Sequence, residues 1–265
     1  MQSIEQLIEI MRALRDPKTG CPWDLKQDFQ SLIPYTIEEA YEVADAIERS
    51  NLDDIKSELG DLLFQIIFYS QLANEQQSFD FNDVAQSISD KLTRRHPHVF
   101  ADAKIKNAEE QTKEWERLKQ QERKIKAEES ADALSHLDDV SRTLPSLMRA
   151  EKLQKRAARE GFDWPSIKGV IAKVYEELEE VQHELDAKEQ EHVKLEDEIG
   201  DLFFSCINLS RHAGVDAEQS LRKANLKFER RFRKVEKIAN NKNLQISEMT
   251  TDELELLWNE VKEQE

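Results

Sequence analysis

Apolar residues recur at intervals of three and four along almost the whole chain, the period of helices that bury one face. That period predicts helices near 2–14, 37–49, 53–75, 81–95 and 108–128, then 144–159, 167–189, 192–213, 216–239 and 251–264. Turn-forming stretches separate the runs, "GCPWD" at Gly20 and "GFDWP" at Gly161 among them. The fold class expected is all-α.

The two sets of five helices match in order, and the match extends to particular residues. "SELGDLLFQIIF" places Glu58 and Asp61 at the edge of an apolar run, and 140 residues later "DEIGDLFFSCIN" does the same with Glu198 and Asp201. "EEAYE" at Glu38 answers to "EELEE" at Glu176, which sets Glu39 and Glu42 against Glu177 and Glu180. "KLTRR" at Lys91 answers to "KFERR" at Lys227, and "WERLKQQE" at Trp115 to "WNEVKEQE" at Trp258. With the turn at Gly20 answering to the one at Gly161, five ordered matches, Trp and Gly-Asp included, indicate a tandem repeat of two similar helical-bundle domains, 1–128 and 142–265. A charged, turn-forming linker, 129–141, is expected between them.

Composition narrows the function classes. A net charge of −17 argues against nucleic acid or an anionic membrane as partner and favours divalent cations. Two cysteines, Cys21 and Cys206, are too few for a disulfide framework and suit a reducing cytosol. The first residues, "MQSIEQLIEIMRALRDP", contain acids and lack the apolar core of a signal peptide. No apolar run approaches the length of a membrane span. A cytoplasmic protein is expected.

Positions three apart share a helix face, so Glu177 and Glu180 project together, as Glu198 and Asp201 do from the next helix. A short turn makes those helices antiparallel neighbours. Leu202 lies only about 40° around the helix from Glu198, so the acids border the apolar seam. Four carboxylates gathered there repel one another, and oxygen-only ligands suit Mg²⁺ or Mn²⁺. A lone ExxE in so acidic a chain is ordinary solvated charge. Two pairs beside Gly-Asp-aromatic runs, present in both halves, favour a metal site, with Glu39, Glu42, Glu58 and Asp61 as a second, weaker one. Gly60 and Gly200 admit two readings, close helix packing or room beside the metal. A di-iron centre is the weaker alternative, because "EVQH" (Glu180, His183) has only "EVAD" opposite it in the first half.

Lys173 and Lys194 each stand one turn before a motif acid, and Lys227 and Arg231 lie four apart on a later helix. Singly these are ordinary i,i+4 pairs; together with a metal they make a site for a polyphosphate. Trp258 is either core or a stacking face for a nucleobase. The first half has Tyr35 and Asp54 where the second has Lys173 and Lys194, so the second half is expected to be the better catalyst. Pro97 should end a helix at "RRHPHVF", whose His96 and His98 read as structural.

The pattern ExxE, 15 or 17 residues, ExxD, with "GCPWD", "RRHPHVF" and "KFERRF", resembles the two-domain MazG nucleoside triphosphate pyrophosphohydrolases over essentially the whole chain. The resemblance implies all-α domains, a homodimer, Mg²⁺ dependence, and hydrolysis of nucleoside triphosphates, ATP included, to monophosphate and pyrophosphate in clearing unwanted nucleotides. It makes Glu177, Glu180, Glu198 and Asp201 the metal ligands and adds Lys227 and Arg231 to the catalytic set. It places Lys173, Glu176, Glu177, Lys194, Lys227, Phe228, Arg230, Arg231 and Trp258 against the nucleotide. The first half becomes a dimerising or regulatory domain. The competing class is an acidic helical scaffold that binds nucleotide or a partner without turnover.

Overall fold

The computed structural model describes residues 2–101, 106–107, 110–111, 114–115, 117–118, 121–122, 135–138, 140–187 and 191–264. Among them every regular element is helical. The chain divides into two compact units, Met1–Glu129 and Ser130–Glu265. Much of the expected helix at 108–128, and most of the expected linker at 129–141, lies outside the described residues.

The first unit opens with α1 (Gln2–Leu14) and a short 3-10 turn, Asp24–Lys26. Helices α2 (Ile33–Glu48), α3 (Leu52–Glu75) and α4 (Phe81–Arg95) follow, then a single turn, α5 (Pro97–Phe100). Helix α2 starts four residues earlier than the periodicity suggested. Pro34 sits in its first turn, where a missing N–H costs nothing and φ is already helical. Between α2 and α3 the chain reverses in three residues, with Ser50 at φ 56 and the Asn51 side chain accepting from the amides of Asp53 and Asp54. This tight reversal lays α2 antiparallel along α3. Helix α4 ends at His96, as Pro97 requires. Met11, Leu32, Ile67, Phe68 and Leu72 form the core, flanked by Leu7, Phe29, Leu63 and Phe81.

In the second unit α6 (Ser146–Arg159) packs on α8 (His192–His212) and on α9 (Ala217–Asn241). Helix α7 (Ile167–Asp186) pairs with α8, and α10 (Thr251–Glu263) with α9. Val235, Ala239, Leu257 and Val261 make one core cluster; Val170, Val181 and Ile207 are buried in the α7–α8 pair. The "GFDWP" turn is pinned to the end of α8: Asp163 accepts from the Arg211 guanidinium at 2.5 and 3.0 Å and faces His212 Nε2 at 2.8 Å. Gly169 leaves room for the indole of Trp164, since a Cβ there would lie 2.4 Å from the ring. The turn thus delivers α7 to α8 in a defined register.

Candidate metal and nucleotide site

Helices α7 and α8 bring three carboxylates together. Glu177, Glu180 and Glu198 each offer an oxygen, all within 4.8 Å of one another. Asp201, the fourth expected member, is exposed one turn further along α8 and outside this group. Glu177 is only 4% exposed. Lys173 Nζ reaches its Oε1 at 2.8 Å and Glu176 Oε1 also at 2.8 Å, while Glu177 Oε2 is buried with no hydrogen-bond partner. Glu176 and then Glu177 hold the Lys173 ammonium well above the usual lysine range. Burial, followed by the charge of Glu177, pushes the Glu180 carboxyl up, with Lys173 opposing. An open groove of about 400 Å³ continues from the acids, lined by Glu176, Glu179, Glu180, His183, Glu184 and Glu198. Glu179, His183 and Glu184 were not anticipated as its walls; their spacing from Glu180 on one helix was the available signal.

Phe228, Arg231 and Trp258 form a basic and aromatic group on α9 and α10. The Arg231 guanidinium lies over Trp258, 5.9 Å from the ring centroid. Phe228 meets the same indole at 5.3 Å and stacks with Phe232 at 6.0 Å. Trp258 also packs against the Val235–Leu257 core, so it is both core and an aromatic face. Lys227 and Arg230 stand on the same stretch of α9. Lys194, at the start of α8, pairs with Glu191 at 2.7 Å. Lys173 is a cation in direct contact with the acids.

The first unit repeats the acid group with different members. Glu39, Glu58 and Asp61 converge within 4.8 Å; Glu42 lies outside that set. Burial raises the Glu39 carboxyl, followed by the charges of Asp61 and Glu42. Glu58 is raised by burial and then by Glu42 and Asp61, with Arg49 opposing. Tyr35, in the place of Lys173, stands edge-on to Trp23 at 5.5 Å. Asp54, in the place of Lys194, is not a bare negative charge as its position suggested. Arg49 binds it at 2.5 Å and Asp45 at 2.8 Å, a partner that the helical repeat does not reveal because it reaches across the turn. The packing reading of Gly60 and Gly200 fails within each unit, because a methyl at either would meet nothing within 4 Å. His96 uses Nδ1 on the Leu92 carbonyl at 2.8 Å, a structural contact at the end of α4.

A pair of antiparallel helices carrying clustered carboxylates, one of them buried with an unsatisfied oxygen, fits a hard divalent cation bound by oxygen alone. This defines the class: an all-α protein of two like units, each with an acid cluster able to hold a cation. Comparison with known proteins gives the family. The model of the MazG nucleotide pyrophosphohydrolase domain matches twice, at residues 27–100 and 166–236. The nucleoside triphosphate pyrophosphohydrolase of Escherichia coli K12 is 52% identical over 265 residues, covering 100% of this chain and 99% of its own. The nucleoside triphosphate pyrophosphohydrolase/pyrophosphatase MazG of Thermotoga maritima is 41% identical over 97% of this chain and 95% of its own. A crystal structure of a mazG-related protein from Thermotoga maritima shares 31% identity, covers 44% of this chain and 98% of its own, and has a TM-score of 0.37. The chain belongs to the MazG nucleotide pyrophosphohydrolase family.

Proposed function

We propose that this protein is an enzyme that hydrolyses nucleoside triphosphates, ATP among them, to the monophosphate and pyrophosphate, and that its second unit does the chemistry. The observation that carries the site is Glu177: a carboxylate 4% exposed, inside a family-matched segment, with one oxygen on Lys173 and the other without a partner. Glu177, Glu180 and Glu198, with Asp201 one turn away, would hold the cation, Mg²⁺ by preference or Mn²⁺. Such a cation, when bound, supplies positive charge to the phosphates and acidifies water beside them. Lys173 holds the Glu177 carboxylate in place and offsets part of the cluster's charge. Lys194, Lys227 and Arg231 carry the positive charge for the rest of the triphosphate. Glu176, Phe228, Arg230 and Trp258 meet the nucleotide, the indole offering its face to the base. Water forms a new bond to the α-phosphorus, the bridging bond to the β-phosphate breaks, and pyrophosphate leaves.

A homodimer is part of the same reading. Tyr175 (64% exposed), Phe203 (61%) and Val193 (70%) on α7 and α8 are large apolar side chains left open to solvent in the single chain, and a second copy would cover them. Beside that second-unit surface, the first unit serves as a further dimerising or regulatory domain. Free Cys21 and Cys206 accord with a cytoplasmic setting, and no helix is long and apolar enough to cross a membrane among the described residues. Incubation with ATP and Mg²⁺, followed by separation of products, tests the proposal: AMP and pyrophosphate are expected. ADP with phosphate would overturn the assigned bond. No turnover of any triphosphate would favour a scaffold.

A further inference from the structure

In the first unit the two arginines that match Arg230 and Arg231 are gripped by a carboxylate. Arg94 and Arg95 close α4, and both guanidiniums converge on Glu122. Arg94 donates from Nε at 3.1 Å and from Nη2 at 2.9 Å, both to Oε1. Arg95 donates from Nη2 to Oε2 at 2.5 Å and from Nε to Oε1 at 3.4 Å. The Arg95 and Glu122 side chains are 19% and 24% exposed, so the pairing is partly shielded from water. The two arginines, Arg95 first, hold the Glu122 carboxyl down at about 2. Two planar guanidiniums around one oxyanion is the arrangement that binds phosphate as readily as carboxylate. In the second unit Arg231 lies over Trp258 at 5.9 Å; in the first unit Arg95 pairs with Glu122, and the ring of Trp115, the counterpart of Trp258, lies 6.2 Å from His96. Lys91, the counterpart of Lys227, stands one turn before Arg95 on the same helix.

We propose that Arg94 and Arg95 form an anion site of the first unit, occupied from within by Glu122, and that the ligand able to displace Glu122 is a pyrophosphate group. The site would let product pyrophosphate, or the polyphosphate of a nucleotide, act on the regulatory half. Its ligand class rests on the reading that Lys227 and Arg231 hold phosphate in the second unit. An internal carboxylate competes at the high effective concentration of a tethered group, so weak binding by the native first unit and strong binding after its removal are the expected signature.

The experiment uses the full chain and pyrophosphate alone, titrated calorimetrically without divalent cation. Loss of pyrophosphate binding on passing from the native chain to Lys227→Ala/Arg231→Ala tests the second-unit reading by itself. In that double variant, adding Glu122→Gln is expected to raise affinity at least about tenfold, and adding Arg95→Ala as well should cancel the gain. Glu122→Asp, which keeps the charge but shortens the reach, is expected to give a smaller gain and covers the case in which Glu122→Gln fails to fold. No gain from either Glu122 variant, or a gain that survives Arg95→Ala, overturns the proposal.

Discussion

Replacing Glu177 by Gln removes one negative charge from the second acid group and leaves its volume almost unchanged. The native carboxylate is 4% exposed, with Oε1 on Lys173 at 2.8 Å and Oε2 unsatisfied. The amide oxygen still accepts from Lys173, and Lys173 keeps Glu176. Two effects on stability oppose each other: a weaker pair with Lys173, and less like-charge repulsion with Glu180 and Glu198. Glu180 is exposed and Lys173 and Glu198 are partly so, which screens both effects, and urea unfolding is expected within about 1 kcal/mol of native. Turnover is another matter. An amide oxygen holds a divalent cation poorly, and losing one charged contact to a developing oxyanion raises a barrier by about 2–4 kcal/mol. That is roughly a 30- to 900-fold loss of rate. The assay follows AMP release from ATP across a Mg²⁺ titration. The expected result is kcat/KM lower by that factor and half-saturation at higher Mg²⁺, with cooperative unfolding intact. Turnover within about threefold of native at an unchanged Mg²⁺ requirement would refute the placement of Glu177 at the cation, since no ligand loss is that small.

Glu180→Ala should remove most activity, by about two to three orders of magnitude, while Glu42→Ala and Asp61→Ala leave most of it; equal losses in folded first-unit variants would move catalysis out of the second unit. Glu39, Glu58 and Glu180 have carboxyls raised by burial and neighbouring acids, so their mutual repulsion grows as pH rises through those raised values; Mg²⁺ is therefore expected to raise Tm more at neutral than at acid pH, and a pH-independent Mg²⁺ effect in calorimetry would contradict it. Asp163 is held down at about 2, first by Arg211, so its contribution is present above the unfolded value of 3.8 and is lost as pH falls toward 2. Asp163→Asn should cost about 1–2 kcal/mol in urea unfolding near neutral pH, and a variant as stable as native there would show the pin to be dispensable. Light scattering at micromolar concentration should give twice the chain mass, and Phe203→Glu should lower it; a fully active monomer would contradict the dimer.

Helix positions were legible because they depend on a local period: α1 at Gln2–Leu14 and α4 at Phe81–Arg95 fall where spacing put them. So was the repeat, and with it the identity of every acid that enters either cluster, since i and i+3 share a face whatever surrounds the helix. The start of α2 was not, because Pro34 stops a helix or begins one according to what precedes it. Membership of each cluster also lay beyond the one-dimensional pattern. Two halves with the same four acids in register gather Glu39, Glu58 and Asp61 in one unit and Glu177, Glu180 and Glu198 in the other. Helix rotation and side-chain rotamer decide which oxygens meet across a helix pair, and neither leaves a mark in spacing. The ion pairs follow the same rule. Arg49 finds Asp54 across a turn, and Glu122 finds Arg95 from 27 residues away, because a long side chain pairs with whatever charge tertiary packing brings within reach.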